Sequence, residues 1–308
     1  MLLLKHSPVL TSEVIKYLNI QNKGIYVDAT LGGGGHSYAI LQHISQGLLL
    51  SFDQDFFSIQ YCSKRFSQTK NIILIHKNFV FLKEELNKRN IFAINGIVFD
   101  LGLSSFQIDD KKRGFSYLHD DVLDMRMNRD EKKTALTILN TYNLEELKKI
   151  FFLYGEEPKA ALIAREIIKK RPIYTTLELV RIIDKFYNSF YNKKKGHNAK
   201  RVFQALRIET NQELRCLKKG LQQSLTLLKK NGRIVVVSFN SLEDRIVKRF
   251  FKQNSECNFL PRIPILKSDL PPNYFNILTK KVIRPNDKEI ILNPRSRSAK
   301  LRAAIKKI

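Results

Sequence analysis

The chain has 308 residues, 43% of them hydrophobic, with 54 Lys and Arg against 29 Asp and Glu, a formal net charge of +25. That apolar share excludes an intrinsically disordered chain, and the length suits roughly two domains of about 150 residues. Such a charge suits a polyanionic partner, nucleic acid or an anionic membrane surface, unless a lysine bias from an AT-rich genome supplies much of the excess.

Met1-Leu2-Leu3-Leu4 runs at once into Lys5-His6-Ser7-Pro8, too short for a signal-peptide core, and no apolar stretch nears the roughly 20 residues that span a bilayer. Cys62, Cys216 and Cys257 lie far apart and form no CxxC pair, so neither a disulfide framework nor a cysteine zinc site is expected. These features predict a soluble protein of a reducing compartment, most simply the cytoplasm, with no bound metal.

In chain order, Gly24-Ile25-Tyr26-Val27-Asp28, Gly47 to Asp53, Ile72-Ile73-Leu74-Ile75 and Gly96-Ile97-Val98-Phe99-Asp100 read as strands. Their continuous apolar character predicts a parallel sheet covered on both faces. Ser37 to Ile44 and Phe56 to Phe66 read as helices between them, giving the alternation of an open α/β sheet. From about Asp109 to Glu213 the pattern turns helical, with helices expected at Leu144 to Phe152, Lys159 to Lys170 and Thr176 to Phe190. The strand signal resumes at Gly232 to Phe239, and the tail from Asn293 carries six basic residues and no acidic one. The economical reading is a sheet domain, residues 1–108 and 214–308, interrupted by a helical domain at 109–213.

Asp28-Ala29-Thr30-Leu31-Gly32-Gly33-Gly34-Gly35-His36-Ser37 follows a predicted strand and opens a predicted helix, where glycines allow positive φ and close approach of a ligand. No Gly-Lys-Ser/Thr follows, so this is not a Walker loop. Asp53 ends the second strand, where a carboxylate accepts hydrogen bonds from both ribose hydroxyls of an adenosine cofactor. Taken alone, the turn and Asp53 fit a nicotinamide dinucleotide and S-adenosylmethionine alike. Asp28 beside a loose glycine run, with Asp100 at the same strand edge, suits a cationic, phosphate-free ligand better than a pyrophosphate. The alternative for Asp100 is a turn or cap carboxylate.

With these residues assembled, the sequence resembles the ribosomal RNA small-subunit methyltransferase H family, also called MraW. The resemblance rests on blocks in the same order along nearly the whole chain. They include His6 to Leu10, Gly24 to Ser37, Leu101 to Asp110, Arg113-Gly114-Phe115-Ser116 and Leu123-Asp124-Met125-Arg126-Met127. Tyr154-Gly155-Glu156-Glu157, Arg201 to Ile208, Ser238 to Phe250 and Asn293-Pro294-Arg295-Ser296-Arg297-Ser298 complete them. The resemblance implies a Rossmann-like class I S-adenosylmethionine-dependent methyltransferase sheet with an inserted, mainly helical substrate-recognition domain. It implies methylation of N4 of a cytidine in the decoding region of 16S ribosomal RNA. Gly34, Gly35 and His36 then line the methionine part of the cofactor, Asp53 the ribose, Phe79 the adenine, and Asp100 and Gln107 the remaining contacts. By itself Phe79 reads as a core residue, and Gln107 attracts no attention. Asn240 stands where a histidine is common in the family, on the side expected to meet RNA.

Many amino-methylating enzymes carry Asp/Asn-Pro-Pro-Tyr after the fourth strand. Here the loop reads Asp100-Leu101-Gly102-Leu103-Ser104-Ser105, so Asp100 is the expected acceptor near the reaction and no stacking aromatic is identified. A C5-cytosine mechanism needs a cysteine in such a loop, and none is there. Basic residues concentrate at Lys111-Lys112-Arg113, at Lys193, Lys194, Lys195, Lys200 and Arg201, and in the tail at Arg295, Arg297, Lys300 and Arg302. Each run could be a solvated surface; with the resemblance they are expected to hold RNA phosphates, with affinity but no base choice. A small-molecule methyltransferase, a nicotinamide oxidoreductase and a non-catalytic ribosome-assembly factor are the alternatives.

Overall fold

The computed structural model describes residues 8–187, 197–255 and 273–308. The chain divides into two compact units, one of Met1–Gly102 with Leu214–Ile308 and one of Leu103–Glu213. The first break falls at Gly102, ahead of the expected Asp109, where φ of +106° puts the backbone in a region that L side chains rarely adopt.

The first unit is built on strands β1 (Ile25–Asp28), β2 (Leu48–Asp53), β3 (Ile72–His76), β4 (Ile94–Asp100), β5 (Leu228–Ser238), β6 (Phe275–Ile277) and β7 (Lys300–Lys306). They form one sheet in the order β3-β2-β1-β4-β5-β7-β6. β1 to β5 are parallel, and β7 runs antiparallel to both its neighbours. The dinucleotide-binding order 3-2-1-4-5-6 has no such inserted strand. An antiparallel seventh strand beside the fifth is the class I S-adenosylmethionine-dependent methyltransferase arrangement.

Both faces of the sheet are covered, as continuous apolar strands require. Along β4 and β5, Ile97, Phe99, Ile234 and Val236 belong to one core, and Val98, Val235 and Val237 to the other. The helices Thr11–Leu18, Gly35–Leu41, Glu213–Leu227 and Ser241–Gln253 supply covering side chains to these cores, and Phe56–Arg65 packs Cys62 into a smaller cluster with Leu31 and Phe66. β5 begins at Leu228 rather than Gly232, because a register shift against β4 between Ile94 and Gly96 absorbs the turn at Asn231, which has φ of 65°.

The second unit is helical around its own core, with helices Ala135–Thr141, Leu144–Leu153, Ala160–Lys170, Thr176–Asp184 and Lys200–Asn211. Asn143 with Glu146, and Thr175 with Glu178, form reciprocal capping boxes that fix two helix starts. The expected helix from Thr176 ends at Asp184. The family block Arg113 to Met127 pins the irregular entry of this unit. Arg113 donates to the carbonyls of Arg126 at 2.8 Å and Met127 at 3.1 Å, while Arg126 clasps Asp124 with two bonds of 2.7 and 2.9 Å.

Candidate active site

β1, β2 and β4 end on Asp28, Asp53 and Asp100, so one carboxyl edge of the sheet gathers three acidic side chains. The glycine turn crosses this edge. Gly32 and Gly34 have φ of 50° and 75°, and a Cβ on Gly34 would stand 2.8 Å from the Phe66 ring. Gly34 directly precedes the helix Gly35–Leu41, and a Cβ on Gly35 would meet Pro8 at 2.8 Å. Glycine at these positions follows from backbone conformation and close packing together.

Asp53 is tied to the turn: Gly32 N–H donates to Oδ2 and Asp55 N–H to Oδ1, both at 2.8 Å. Burial still pushes its carboxyl up to about 6, against the pull of those two donors. Asp28 is fully buried and accepts from Ser37 Oγ at 2.7 Å and from Thr30 N–H at 3.1 Å. Burial raises its pKa, opposed by the nearby His36 and these donors. Asp100 anchors its backbone N–H on Thr30 Oγ1 at 2.7 Å, and its Oδ2 lies 3.3 Å from Nε2 of His36. His36 is only 4% exposed. Burial alone would lower its pKa, but Asp100, Asp28 and Glu289 raise it above the ordinary histidine value.

The chain matches the MraW methylase family over residues 3–307. A protein called ribosomal RNA small subunit methyltransferase H from Onion yellows phytoplasma is 52% identical over 301 residues, 98% of this chain and 97% of its own length. The chain belongs to the MraW methylase family. A relative from Acholeplasma laidlawii, ribosomal RNA small subunit methyltransferase H 1, is 50% identical over 98% of this chain and 99% of its own. Among solved structures, an rRNA methylase from Streptococcus thermophilus is similar over 97% of this chain and 94% of its own, at 11% identity and a TM-score of 0.42.

This MraW chain is a methyltransferase. The donor set fits S-adenosylmethionine, the methyl donor that the family resemblance implies. Three carboxylates at one edge match a ligand with a sulfonium and an ammonium, and no cradle for a pyrophosphate is needed. Oδ1 of Asp100 and both imidazole nitrogens of His36 are buried without completing a well-aligned hydrogen bond, as expected of groups that await a ligand.

Among the other residues singled out from the sequence, Phe79 opens a short 3-10 turn, packs edge-on to Phe99 at 5.4 Å and lies against Gly220. Gln107 belongs to the helical unit, where its side-chain oxygen accepts from Ser104 N–H at 3.0 Å in a capping box. Asn240 caps the helix Ser241–Gln253, its side-chain oxygen accepting from Leu242 and Glu243 N–H at 3.0 and 2.9 Å while Glu243 answers toward Phe239 N–H. Arg295 and Arg297 are exposed on the 3-10 turn Pro294–Ser298, and Lys200 and Arg201 are exposed at the start of Lys200–Asn211. Lys193, Lys194 and Lys195 lie outside the described residues. Sequence reasoning missed the contact of His36 with Asp100; the acidic residues flanking the turn were its only signal.

Proposed function

We propose that this chain methylates the N4 amino group of a cytidine in the decoding region of 16S ribosomal RNA, within the small subunit or its precursor in the cytoplasm. The observation that carries the reading is the pair of near full-length relatives at 50 and 52% identity, whose names specify small-subunit ribosomal RNA as the substrate. Bound S-adenosylmethionine supplies an electrophilic methyl group on a sulfonium.

The chain's own residues then have defined tasks. Asp53 holds the ribose hydroxyls with the acceptor capacity that Gly32 and Asp55 leave over, since an ionised carboxylate offers about four lone-pair sites. Asp28 and Asp100 make the edge negative where positive charge must sit. The cytosine amino group is a poor nucleophile because its lone pair is delocalised into the ring. An acceptor aimed at its protons favours the more tetrahedral nitrogen of the transition state, and Asp100 Oδ1 is the unengaged oxygen suited to that. Alignment supplies much of the remaining acceleration. Attack at C5 finds no support: the loop from Asp100 to Ser105 has no cysteine, and burial pushes the Cys62 thiol up to about 12.

RNA contact is assigned to exposed cations. Lys300, the first residue of β7, pairs with Ser238 at the carboxyl end of β5, so the turn bearing Arg295 and Arg297 precedes the strand at the acidic edge. Lys200 and Arg201, exposed on the helical unit, are assigned to RNA phosphates, as are Lys193, Lys194 and Lys195 from the sequence alone, and the target base must be unstacked for its amino group to react. The role of this unit, 109–213 as read from the sequence, is to recognise the folded RNA. Labelled S-adenosylmethionine incubated with naked small subunits is expected to label their RNA with the wild-type protein and not with Asp100→Ala. Labelling of small molecules alone, or of nothing, would contradict the reading.

A further inference from the structure

Asp28 and Asp100 close the adjacent strands β1 and β4, and the charge of Asp100 raises the cost of ionising Asp28. Their situations differ. Asp28 is committed to Ser37 Oγ and Thr30 N–H, whereas Asp100 has one oxygen, Oδ1, that is buried and accepts nothing. Its other oxygen faces Nε2 of His36 at 3.3 Å, and His36 is itself buried at the start of the helix that follows the glycine turn. Three carboxylates bear on this ring from separate elements: Asp100 from β4, Asp28 from β1, and Glu289 from the helix Asp287–Leu292. Glu289 is held in place by Leu10 N–H, which donates to Oε1 at 2.7 Å.

We infer that His36 is the positioning residue of the methyl-transfer step: as an imidazolium it grips Oδ2 of Asp100, so that Oδ1 is presented to the amino nitrogen being methylated. The inference rests on the function proposed above and deepens it. A carboxylate on a strand end can turn about its terminal torsion, which is broad and roughly two-fold. A charge-assisted contact on one oxygen, in a buried setting, removes that freedom. The imidazolium also offsets the negative charge that Asp28 and Asp100 bring together. In the step served, the N4 lone pair forms the new N–C bond as the C–S bond breaks and its electron pair stays on sulfur. The surplus N4 proton leaves through Oδ1 to solvent. His36 is restored unchanged, which separates a positioning residue from a general base.

The test uses the full chain with small subunits and labelled S-adenosylmethionine. Single-turnover rates and S-adenosylhomocysteine affinity are measured for wild type, His36→Gln and His36→Ala from about pH 6 to about pH 9. Misplacing a reacting group by about 1 Å costs about a hundredfold, and His36→Ala is expected to lose about that much single-turnover rate at saturating S-adenosylmethionine, the S-adenosylhomocysteine affinity separating any loss of binding from the loss of rate. His36→Gln keeps a donor toward Oδ2 and is expected to recover part of the loss. Because the proton of His36 is held at low pH and lost as pH rises, the wild-type rate should fall on the alkaline side. The amide of His36→Gln cannot titrate, so its profile should be flat there. An active wild type without that alkaline fall, or His36→Ala at the wild-type rate, overturns the inference alone. So does an equal loss in both variants with the fall retained. A wild type inactive on small subunits overturns the proposed function, and this inference with it.

Discussion

Asp53, proposed above to hold the cofactor ribose, is fixed in direction by two backbone N–H groups, yet burial raises its pKa to about 6, so the group takes up a proton in mildly acidic solution. A protonated carboxyl loses acceptor capacity for ribose hydroxyls. Calorimetric affinity for S-adenosylhomocysteine is therefore expected to fall as pH drops through about 6. Asp53→Ala should remove that dependence and weaken binding by roughly ten- to a hundredfold, the loss of one charge-assisted hydrogen bond worth about 1.5–3 kcal/mol. Asp100→Ala is expected to abolish transfer in a single-turnover assay. Asn240 is the contrasting residue. Its side chain caps a helix, so Asn240→Ala should cost about 0.5–2 kcal/mol in a denaturant titration and leave measurable turnover.

At the scale of elements, the turn between β1 and the helix Gly35–Leu41 depends on backbone geometry more than on side chains. Gly34→Ala meets both positive φ and the Phe66 ring, so a loss of about 1–3 kcal/mol in thermal stability is expected, together with loss of cofactor affinity. Such turns are legible in sequence because a glycine run directly after an apolar strand marks a backbone path that side chains would block. β1 to β4 were legible for a related reason: buried parallel strands carry uninterrupted Val, Ile, Leu and Phe. β7 was not, because Lys300-Leu301-Arg302-Ala303-Ala304-Ile305-Lys306 has little β propensity of its own. It becomes a strand by pairing with β5 from Arg233 to Ser238 and burying Leu301, Ala303 and Ala304. The site divides in the same way. Asp28, Asp53 and Asp100 are visible as residues ending apolar runs, but the pairing of His36 with Asp100 arises only when β1 and β4 lie side by side.

For the whole molecule, the net charge of +25 becomes specific once it is distributed. Arg295 and Arg297 stand exposed ahead of β7, in the unit that carries the acidic strand edge, while Lys200 and Arg201 are exposed on the helical unit. Phosphate contacts of this kind release counterions, so affinity for small-subunit RNA should fall steeply with salt. The slope is expected to drop by about 1 to 2 in the doubly substituted Arg295→Ala, Arg297→Ala chain. Flat salt dependence would assign the charge to solvation alone. Among the described residues no helix is long and apolar enough to cross a membrane, and the excess of cations needs no lipid partner on this reading. The central claim is tested most directly by mass mapping of small-subunit RNA after incubation with the protein and isotopically labelled S-adenosylmethionine. The expected result is a single labelled methyl on N4 of one cytidine in the decoding region. A labelled methyl at C5, on another base, or on no nucleotide would contradict it.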